Sequence, residues 1–600
     1  MIFRWEADMD RFDRERSRRN YTTGQILKRL LQYMAKHKLL MFMGFLLTLA
    51  SNIFNLVGPT LSGYAVNAIE PGPGKVDFDT VIFYSVLMII LYAVSSVFQY
   101  IQGRIMQRLS MRVSYELRRD LFNKLLTLPV GFFDKTQTGD IISVINYDVD
   151  TISTSLSTDL LQISTSLITV LGSLYMMLTI SPVMVLVFVF TIPVSILFTI
   201  YRSKTMRPLF HKRSRKLGEM NGFVEEVTSG QKTTKAYHQE QTMISRFDIK
   251  NGEAVEAFFM TEYYGAKMGP TVNFINNISL SLVSVFGALM YLKNVISLGD
   301  LSSFVLYSRK FSGPINEAAN IFSELQSAFS ASNRVFTLID ADPETQDREG
   351  AYDLKECEGN VKIDHVDFSY DHGIPIIKDF SLDVKKGQLI AIVGPTGAGK
   401  TTIVNLLMRF YDVDKGAIFV DGHDIRDLTR KSLRLSYSMV LQDTWLFYGT
   451  IKENITYGKE NVTMDEVVNA CKAAKIHDFI MSLPKGYDTV LSDNAVNISK
   501  GQKQLITIAR AMLLESKMLI LDEATSNVDT QTERMIQDAM YALMEGKTCF
   551  VIAHRLSTIR NADTILVMNH GQIVEQGTHE ELMAAGGFYH DMYYSQFASY

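Results

Sequence analysis

Apolar residues are distributed in two unlike ways along this chain. Up to about residue 330 they gather into long runs such as 39–56 and 183–200, whereas from about 350 onward short apolar runs alternate with charge. A hydrocarbon layer about 30 Å thick takes about 20 helical residues to cross. Six stretches meet or nearly meet that length: 39–63, 80–102, 157–180, 182–202, 269–292 and 298–322. The sixth is the least apolar, because Arg309, Lys310 and Glu317 require it to face other helices or water along part of its length. Ahead of the first stretch, residues 24–36 put Ile26, Leu27, Leu30, Leu31 and Met34 on one face, the pattern of a helix lying on a membrane surface.

Cations orient these spans. The connection 103–155 carries Arg104, Arg108, Arg112, Arg118, Arg119, Lys124 and Lys135, and 202–260 carries Arg207, Lys212, Arg213, Arg215 and Lys216, so both lie on the cytoplasmic side of a plasma membrane. Both read as helical extensions interrupted by turn-rich tips, at Phe132 to Asp140 and at Gly222 to Lys235. The architecture expected is a multidomain membrane protein. An N-terminal segment (1–38) with its surface helix precedes a six-helix all-α transmembrane domain (39–325) with long cytoplasmic helical extensions. A linker (326–358) leads to an α/β domain (359–600) whose short strands, interleaved with helices, suit a largely parallel sheet.

Over 600 residues the net charge is −4, which argues against a nucleic-acid partner. The three cysteines, Cys357, Cys471 and Cys549, lack zinc-site spacing and read as reduced thiols of a cytosolic domain. The charged N-terminus lacks the pattern of a cleaved signal.

The chemistry lies in the α/β half. After the apolar strand LIAIV comes Gly394-Pro395-Thr396-Gly397-Ala398-Gly399-Lys400-Thr401-Thr402, a phosphate-binding loop in strand–loop–helix context. Its glycines let backbone N–H groups turn toward phosphate oxygens, Lys400 reaches the β and γ phosphates, and Thr401 is placed to ligate Mg²⁺. A second strand, MLILD, delivers Asp522 and Glu523 at its carboxyl end, Asp522 for the metal and Glu523 to polarise an attacking water. His554 follows another strand and could touch the γ phosphate, although taken alone it equally fits a capped strand end. Gln442 could complete the metal shell. Tyr370, about twenty-five residues before the loop, could stack on adenine or simply belong to the core.

Together these motifs resemble the half-transporters of ATP-binding cassette exporters, closest to subunits of bacterial heterodimeric multidrug exporters, over all but about the first twenty residues. The resemblance implies that Tyr370 stacks on adenine, Gln442 is the Q-loop glutamine, Ser526 to Asp529 form the D-loop, His554 is the switch histidine, and the two tips couple to nucleotide-binding domains. It implies two such halves, each ATP being sandwiched between the loop of one and the L-S-G-G-Q signature of the other. Here that signature reads Ile498-Ser499-Lys500-Gly501-Gln502. Lysine at 500 is expected to lose glycine's freedom at positive φ and to crowd a phosphate, unless its side chain projects into solvent. Ser499, Gly501 and Gln502 remain candidate ligands of the facing nucleotide.

The expectation is therefore an ATPase exporting amphipathic small molecules by alternating access, with ATP and Mg²⁺. A non-identical half would supply a standard signature to Lys400, Gln442, Asp522, Glu523 and His554. A lipid flippase, a peptide exporter or a sensor subunit of the same fold is the alternative. A peptide exporter carrying its own protease is not expected, because about 38 residues precede the first span. Asp159 is the candidate cargo contact, with Asn273, Asn276 and Asn277 as further polar groups in the fifth span.

Overall fold

The computed structural model describes residues 21–69, 76–370, 374–442, 444–491, 498–522, 529–553 and 555–597, apart from the side chains of 203, 268, 315–320, 323, 557, 596 and 597. The chain forms two compact units, Met1–Thr127 with Gln137–Asp342, and Leu128–Thr136 with Pro343–Tyr600.

The first unit is helical. Helix α1 (Thr23–Ala35) starts at a capping box in which Thr22 accepts from Gln25, and it buries Ile26, Leu30 and Met34. Leu27 and Leu31, on the same sequence face, stay exposed, leaving an apolar edge suited to a bilayer surface. Arg29 pairs with Asp340 (Nη2 to Oδ1, 2.8 Å) and Tyr33 donates to Asp120 (2.8 Å), so α1 is pinned to two longer helices. The long helices of this unit are α2 (Lys38–Asn67), α3 (Phe78–Leu125), which carries Asp120, α5 (Thr138–Ile180), α6 (Pro182–Ser229), α8 (Glu240–Ala266), α9 (Met268–Leu292) and α10 (Leu298–Ile339), which is capped by Asp340, with α8 and α9 one nearly continuous run. Two short helices mark the tips, α4 (Val130–Lys135) and α7 (Gln231–Ala236). The second tip is narrower than the sequence reading: Gly222 lies inside α6, which continues to Ser229, and the turn comes at Gly230. Helix α5 contains two π-helical turns, Val144–Asp148 and Ser155–Asp159.

Among the described residues, five helices are long and apolar enough to cross a membrane. The sixth, α10, falls short in composition because its interior side carries polar and charged groups that face other helices. Phe304 and Tyr307 are fully buried, and Phe311 packs edge-on against Phe188 of α6. Its polar face is matched to α2. Pro59, inside α2, has no N–H, so the carbonyl of Asn55 loses its helical donor. Lys310 supplies one: its ammonium donates to Asn55 O at 2.7 Å. One and two turns back along α10, Tyr307 donates to Leu56 O (2.5 Å) and Ser303 to Pro59 O (2.9 Å). Gly63 and Gly299 bring the two backbones together, for a Cβ on Gly299 would lie 2.0 Å from Gly63 O. Other polar residues tie spans in the same way: Gln102 donates to Thr48 (2.6 Å), Ser95 to Ser51 O (2.9 Å) and Thr169 to Asn52 (3.2 Å).

The second unit is α/β, but only its centre is parallel. The six-stranded sheet has the order β12 (Gln572–Gly577), β11 (Thr564–Asn569), β3 (Leu389–Val393), β10 (Thr548–Ile552), β9 (Met518–Asp522) and β6 (Tyr437–Val440). All its pairings are parallel except β11 with β12, and two short strands, β7 (Gly449–Thr450) and β8 (Val490–Leu491), pair antiparallel apart from it. The early strands β1 (Val361–Phe368), β2 (Ile377–Val384), β4 (Lys415–Val420) and β5 (His423–Asp424) form a separate antiparallel sheet, which corrects the expectation that they join the parallel one. Their alternating burial shows why: β1 hides Val361, Ile363, Val366 and Phe368 on one side, whereas β3, β9 and β10 are buried on both faces. Segment 343–348 is strapped to helix α12 (Arg430–Leu435), which follows helix α11 (Lys400–Leu407), by Glu344 with Arg434 (2.5 Å) and Asp347 with Arg430 (2.8 Å). The three thiols are free. Burial pushes them up, Cys357 and Cys549 to about 12 and Cys471 to about 11, which leaves them protonated.

Replacing Lys310 by Met is expected to destabilise the membrane unit by about 1–2 kcal/mol, because Asn55's carbonyl is left without a donor in a waterless layer. Pro59→Ala restores the helical donor and should recover part of that loss. A double-mutant cycle on thermal unfolding midpoints reads this directly, and strictly additive effects would refute the role given to Lys310.

Candidate functional site

The carboxyl ends of β3 and β9, neighbours of the central strand β10, carry the site. After Val393 the chain enters a loop whose geometry only glycine meets. Gly394, Gly397 and Gly399 have φ of 150°, 84° and 99°. A Cβ on Gly394 would stand 2.2 Å from the carbonyl oxygen of Met568, at the end of β11. Gly399 is the N-cap of α11, so the loop opens directly onto a helix N-terminus with its unpaired N–H groups. Lys400, first residue of that helix, bends its ammonium over the loop to the carbonyls of Gly394 (2.8 Å) and Pro395 (3.1 Å). Burial holds this lysine below its ordinary range, opposed by the negative charge of Asp522. Strand register places Asp522, the last residue of β9, at the same end of the sheet: it pairs with Ile552 of β10, which pairs in turn with Ile392 of β3. Thr401 is exposed on α11 and Thr402 buried, while Gln442 is exposed just beyond β6.

Glu523 and His554, the expected catalytic pair, lie outside the described residues, as do Ser526, Asn527 and Val528 of the D-loop. Asp529 is described, and caps the next helix by accepting from Gln531 and Thr532. Tyr370 is neither isolated nor simply core. Its half-buried ring meets Phe368 and Tyr411 edge-on, both at 4.9 Å, and its hydroxyl is held by Thr402 (3.3 Å) and Asn405 (3.0 Å) of α11.

The signature run opens helix α13 (Lys500–Leu513). Ser499 is its N-cap, in a capping box with Gln502. Here the structure corrects the sequence argument about Lys500. Residue 500 occupies the first helical position, is absent from the described residues with positive φ, and is exposed. Glycine's special freedom is therefore not called on, and the long side chain has solvent to occupy. Gly501 is buried beneath it. Further along α13, Arg510 donates to Asn454 O (2.8 Å) and Trp445 O (3.2 Å), fastening the segment after Gln442 to the signature helix. Sequence reasoning missed Arg510, since nothing in its local pattern marks a contact 65 positions away.

The tip helix α4 belongs to the α/β unit. Gly131 lets the ring of Tyr411 come within what would be 2.9 Å of a Cβ, and the Tyr411 hydroxyl donates to Asp134 at 2.5 Å.

In the membrane unit, a cavity of about 480 Å³ lies among α2, α3, α5 and α10, walled by Ser51, Asn52, Gln102, Thr165, Ser166 and Thr169 among others. No charged side chain is among the described residues lining it. Asp159 does not line it. That carboxylate is buried beside its neighbour Thr158, whose hydroxyl donates to it at 2.8 Å. Asn273 and Asn277 are exposed, and Asn276 is half-buried.

Comparison with known proteins agrees with both halves. Residues 41–315 match the ABC transporter transmembrane region and residues 377–526 the ABC transporter family. An ABC transporter ATP-binding protein of Bacillus subtilis, YfiC, is 41% identical over 95% of this chain and 94% of its own. A fatty acid ABC transporter ATP-binding/permease protein of Mycobacterium tuberculosis is 41% identical over 90% of this chain and 84% of its own. A putative multidrug export ATP-binding/permease protein of Staphylococcus aureus is 35% identical over 95% and 99%. Among solved structures, a bacterial Atm1-family ABC exporter with ATP bound superposes with a TM-score of 0.78 at 29% identity, covering 93% of this chain and 98% of that one. A glycine-built phosphate cradle on a parallel sheet, joined to a bundle of spanning helices, thus has the company its geometry calls for: the chain belongs to the ATP-binding cassette transporters, as an exporter-type membrane ATPase with a multi-span transmembrane domain and a C-terminal nucleotide-binding domain.

Proposed function

We propose that this chain is one half of a heterodimeric exporter that moves amphipathic small molecules out of the cell by alternating access. The observation that carries the ATP-driven part is the loop Gly394 to Thr402, with Lys400 and Asp522 drawn to one end of the sheet. In this reading the loop amides and Lys400 hold the β and γ phosphates, and Tyr370 stacks on adenine. Thr401, Gln442 and Asp522 offer the neutral and anionic oxygens that a hard ion such as Mg²⁺ takes, and Mg²⁺ bound there neutralises charge on the phosphates. Glu523 accepts the proton of the attacking water, and His554 steadies the γ phosphate. Ser499, Gly501 and Gln502 face the nucleotide of the other half.

The case for a non-identical partner rests on composition. This chain keeps Lys400, Gln442, Asp522, Glu523 and His554 but departs from the signature at Lys500. A second copy would put that departure in both sites, whereas a different half supplies L-S-G-G-Q to these residues. On the membrane side, the uncharged polar cavity supports a cargo with neutral hydrogen-bonding groups, and moves the candidate contact from Asp159 to residues such as Gln102 and Thr169. The relatives named for multidrug export and for fatty acids both fit an amphipathic cargo.

Gly394→Ala should cut ATP affinity by at least tenfold, because its methyl would drive the loop off the Met568 carbonyl. Equilibrium binding of a fluorescent ATP analogue checks it, and unchanged affinity refutes the cradle. Glu523→Gln in the transporter purified from its native membrane should leave ATP binding intact and lower hydrolysis by about 10²-fold or more. Finally, the tagged chain expressed alone should lack full ATPase and regain it with its partner. Full, cargo-stimulated turnover by a homodimer would remove the heterodimer from this reading.

A further inference from the structure

Along the cytoplasmic extensions, cations find carboxylates. Arg118 pairs with Asp150 (2.5 Å), Arg213 with Glu262 (3.0 Å) and Lys216 with both Glu219 and Glu253 (2.8 Å each). The partners change where the fourth and fifth spans reach the cytoplasmic side. Arg202, on α6, and Lys267, at the junction of α8 and α9, pack on tyrosines instead. The Arg202 guanidinium lies 6.0 Å from the centre of the Tyr264 ring, and the Lys267 ammonium 5.4 Å from that ring and 3.7 Å from Tyr263. Among the described residues, neither has a carboxylate within ion-pair distance, and Lys204, exposed just beyond Arg202, has none either. Arg202 commits a single N–H, to the carbonyl of Tyr264 (3.0 Å) in the last turn of α8, where helix geometry leaves carbonyls without donors. The rest of its donor fork has no acceptor among the described residues. The change of partner falls between Arg202 and Arg213 of α6, about 16 Å apart at about 1.5 Å per residue.

A tyrosine face holds a cation in place but carries no net charge to neutralise it. Positive charge therefore remains at the edge of a low-dielectric layer, where it is costly to leave unpaired and where the anions at hand are lipid phosphates. The surface on the membrane side of these cations has the matching character. Val194, Leu197 and Tyr201 form an exposed stripe leading up to Lys204 on α6, and Phe274 and Ile278 lie exposed about two and three turns on from Lys267, along α9. We propose that Arg202 and Lys267, steadied by Tyr264 and Tyr263, bind the phosphate of an anionic phospholipid of the cytoplasmic leaflet, whose acyl chains lie along those apolar stripes. The guanidinium offers the phosphate two parallel donors, and Lys267 adds a compact point charge. This site shares no residue with the phosphate loop or with the polar cavity, and it depends on neither the cargo nor the second half named above. Because Arg202 also holds the last turn of α8, the bound headgroup sits on the seam where α8 gives way to α9.

The test measures lipid binding to the full-length transporter, purified from its native membrane into a neutral detergent and titrated with phospholipid under native mass spectrometry. Phosphatidylglycerol is expected to bind at least about fivefold more tightly than phosphatidylcholine with the same chains, since each cation near a membrane surface is worth about fivefold toward an anionic lipid. Lys267→Gln should weaken phosphatidylglycerol binding about fivefold, and Arg202→Gln with Lys267→Gln should bring the two lipids within about twofold of each other. Lys267→Arg keeps the charge and should keep the preference. Arg213→Gln removes a cation already paired with Glu262 and should leave lipid binding unchanged, which separates the site from net charge. Should Arg202→Gln impair folding through the lost bond to Tyr264, Lys267→Gln decides alone, because that lysine makes no hydrogen bond to backbone among the described residues. A preference that survives Lys267→Gln in full, or an equal affinity for both lipids in the unaltered chain, overturns the proposal. Displacement of the lipid by millimolar glycerol phosphate would make this a site for soluble phosphates, and loss of the second half rather than of lipid in the double variant would make it a protein interface. Either result overturns the lipid assignment.

Discussion

A backbone carbonyl without a donor is tolerable in water and costly in hydrocarbon, and much of this architecture follows from where such groups find partners. Pro59 creates one at Asn55, in the middle of the first span, and the structure answers with the ammonium of Lys310 from the sixth. That answer makes a lysine in a membrane helix a structural member, draws Tyr307 and Ser303 into the same seam, and lets Gly63 and Gly299 close the gap. The nucleotide-binding half uses the opposite arrangement. Its loop keeps backbone N–H groups uncommitted at a helix N-terminus, where an anion rather than a neighbouring helix is the intended partner.

The same contrast explains what the sequence made legible. Five spans are plain in the hydropathy because apolar residues dominate a stretch of each long enough to cross a membrane. The sixth is muted because one side of it is interior, with Phe304 and Tyr307 fully buried, and Lys310 faces another helix there at Asn55, opposite Pro59. The strand–loop–helix turn at Gly394 to Thr402 was legible, since its glycine-dependent backbone conformations are local. Asp522 was legible as the end of a buried apolar strand. The antiparallel placing of β1, β2, β4 and β5 was not, because strand patterns give burial periodicity and leave partners open.

Contacts between distant positions were least accessible. Tyr411 and Asp134 lie in separate domains of the sequence reading, and no spacing rule joins them. Arg510 holds the segment after Gln442 through backbone carbonyls, which have no side-chain signature to read. At Lys500 the difficulty was different. A missing glycine implies strain only where φ is positive, and that backbone angle is a property of the fold. With a helical angle at 500, the substitution alters charge and shape at the surface and leaves the backbone untroubled.

That exposed ammonium has an electrical consequence. The first turn of a helix already carries about half a positive charge, so a lysine there opposes the helix macrodipole by roughly 0.3–1 kcal/mol until something negative faces it. Mobile ions shield such a charge over about 8 Å at physiological strength, and a desolvated pairing is shielded far less. Glycine at this position would leave only the helix end's own partial charge to be screened as an opposing surface approaches. Lysine ties that approach to the potassium and chloride of the cytosol.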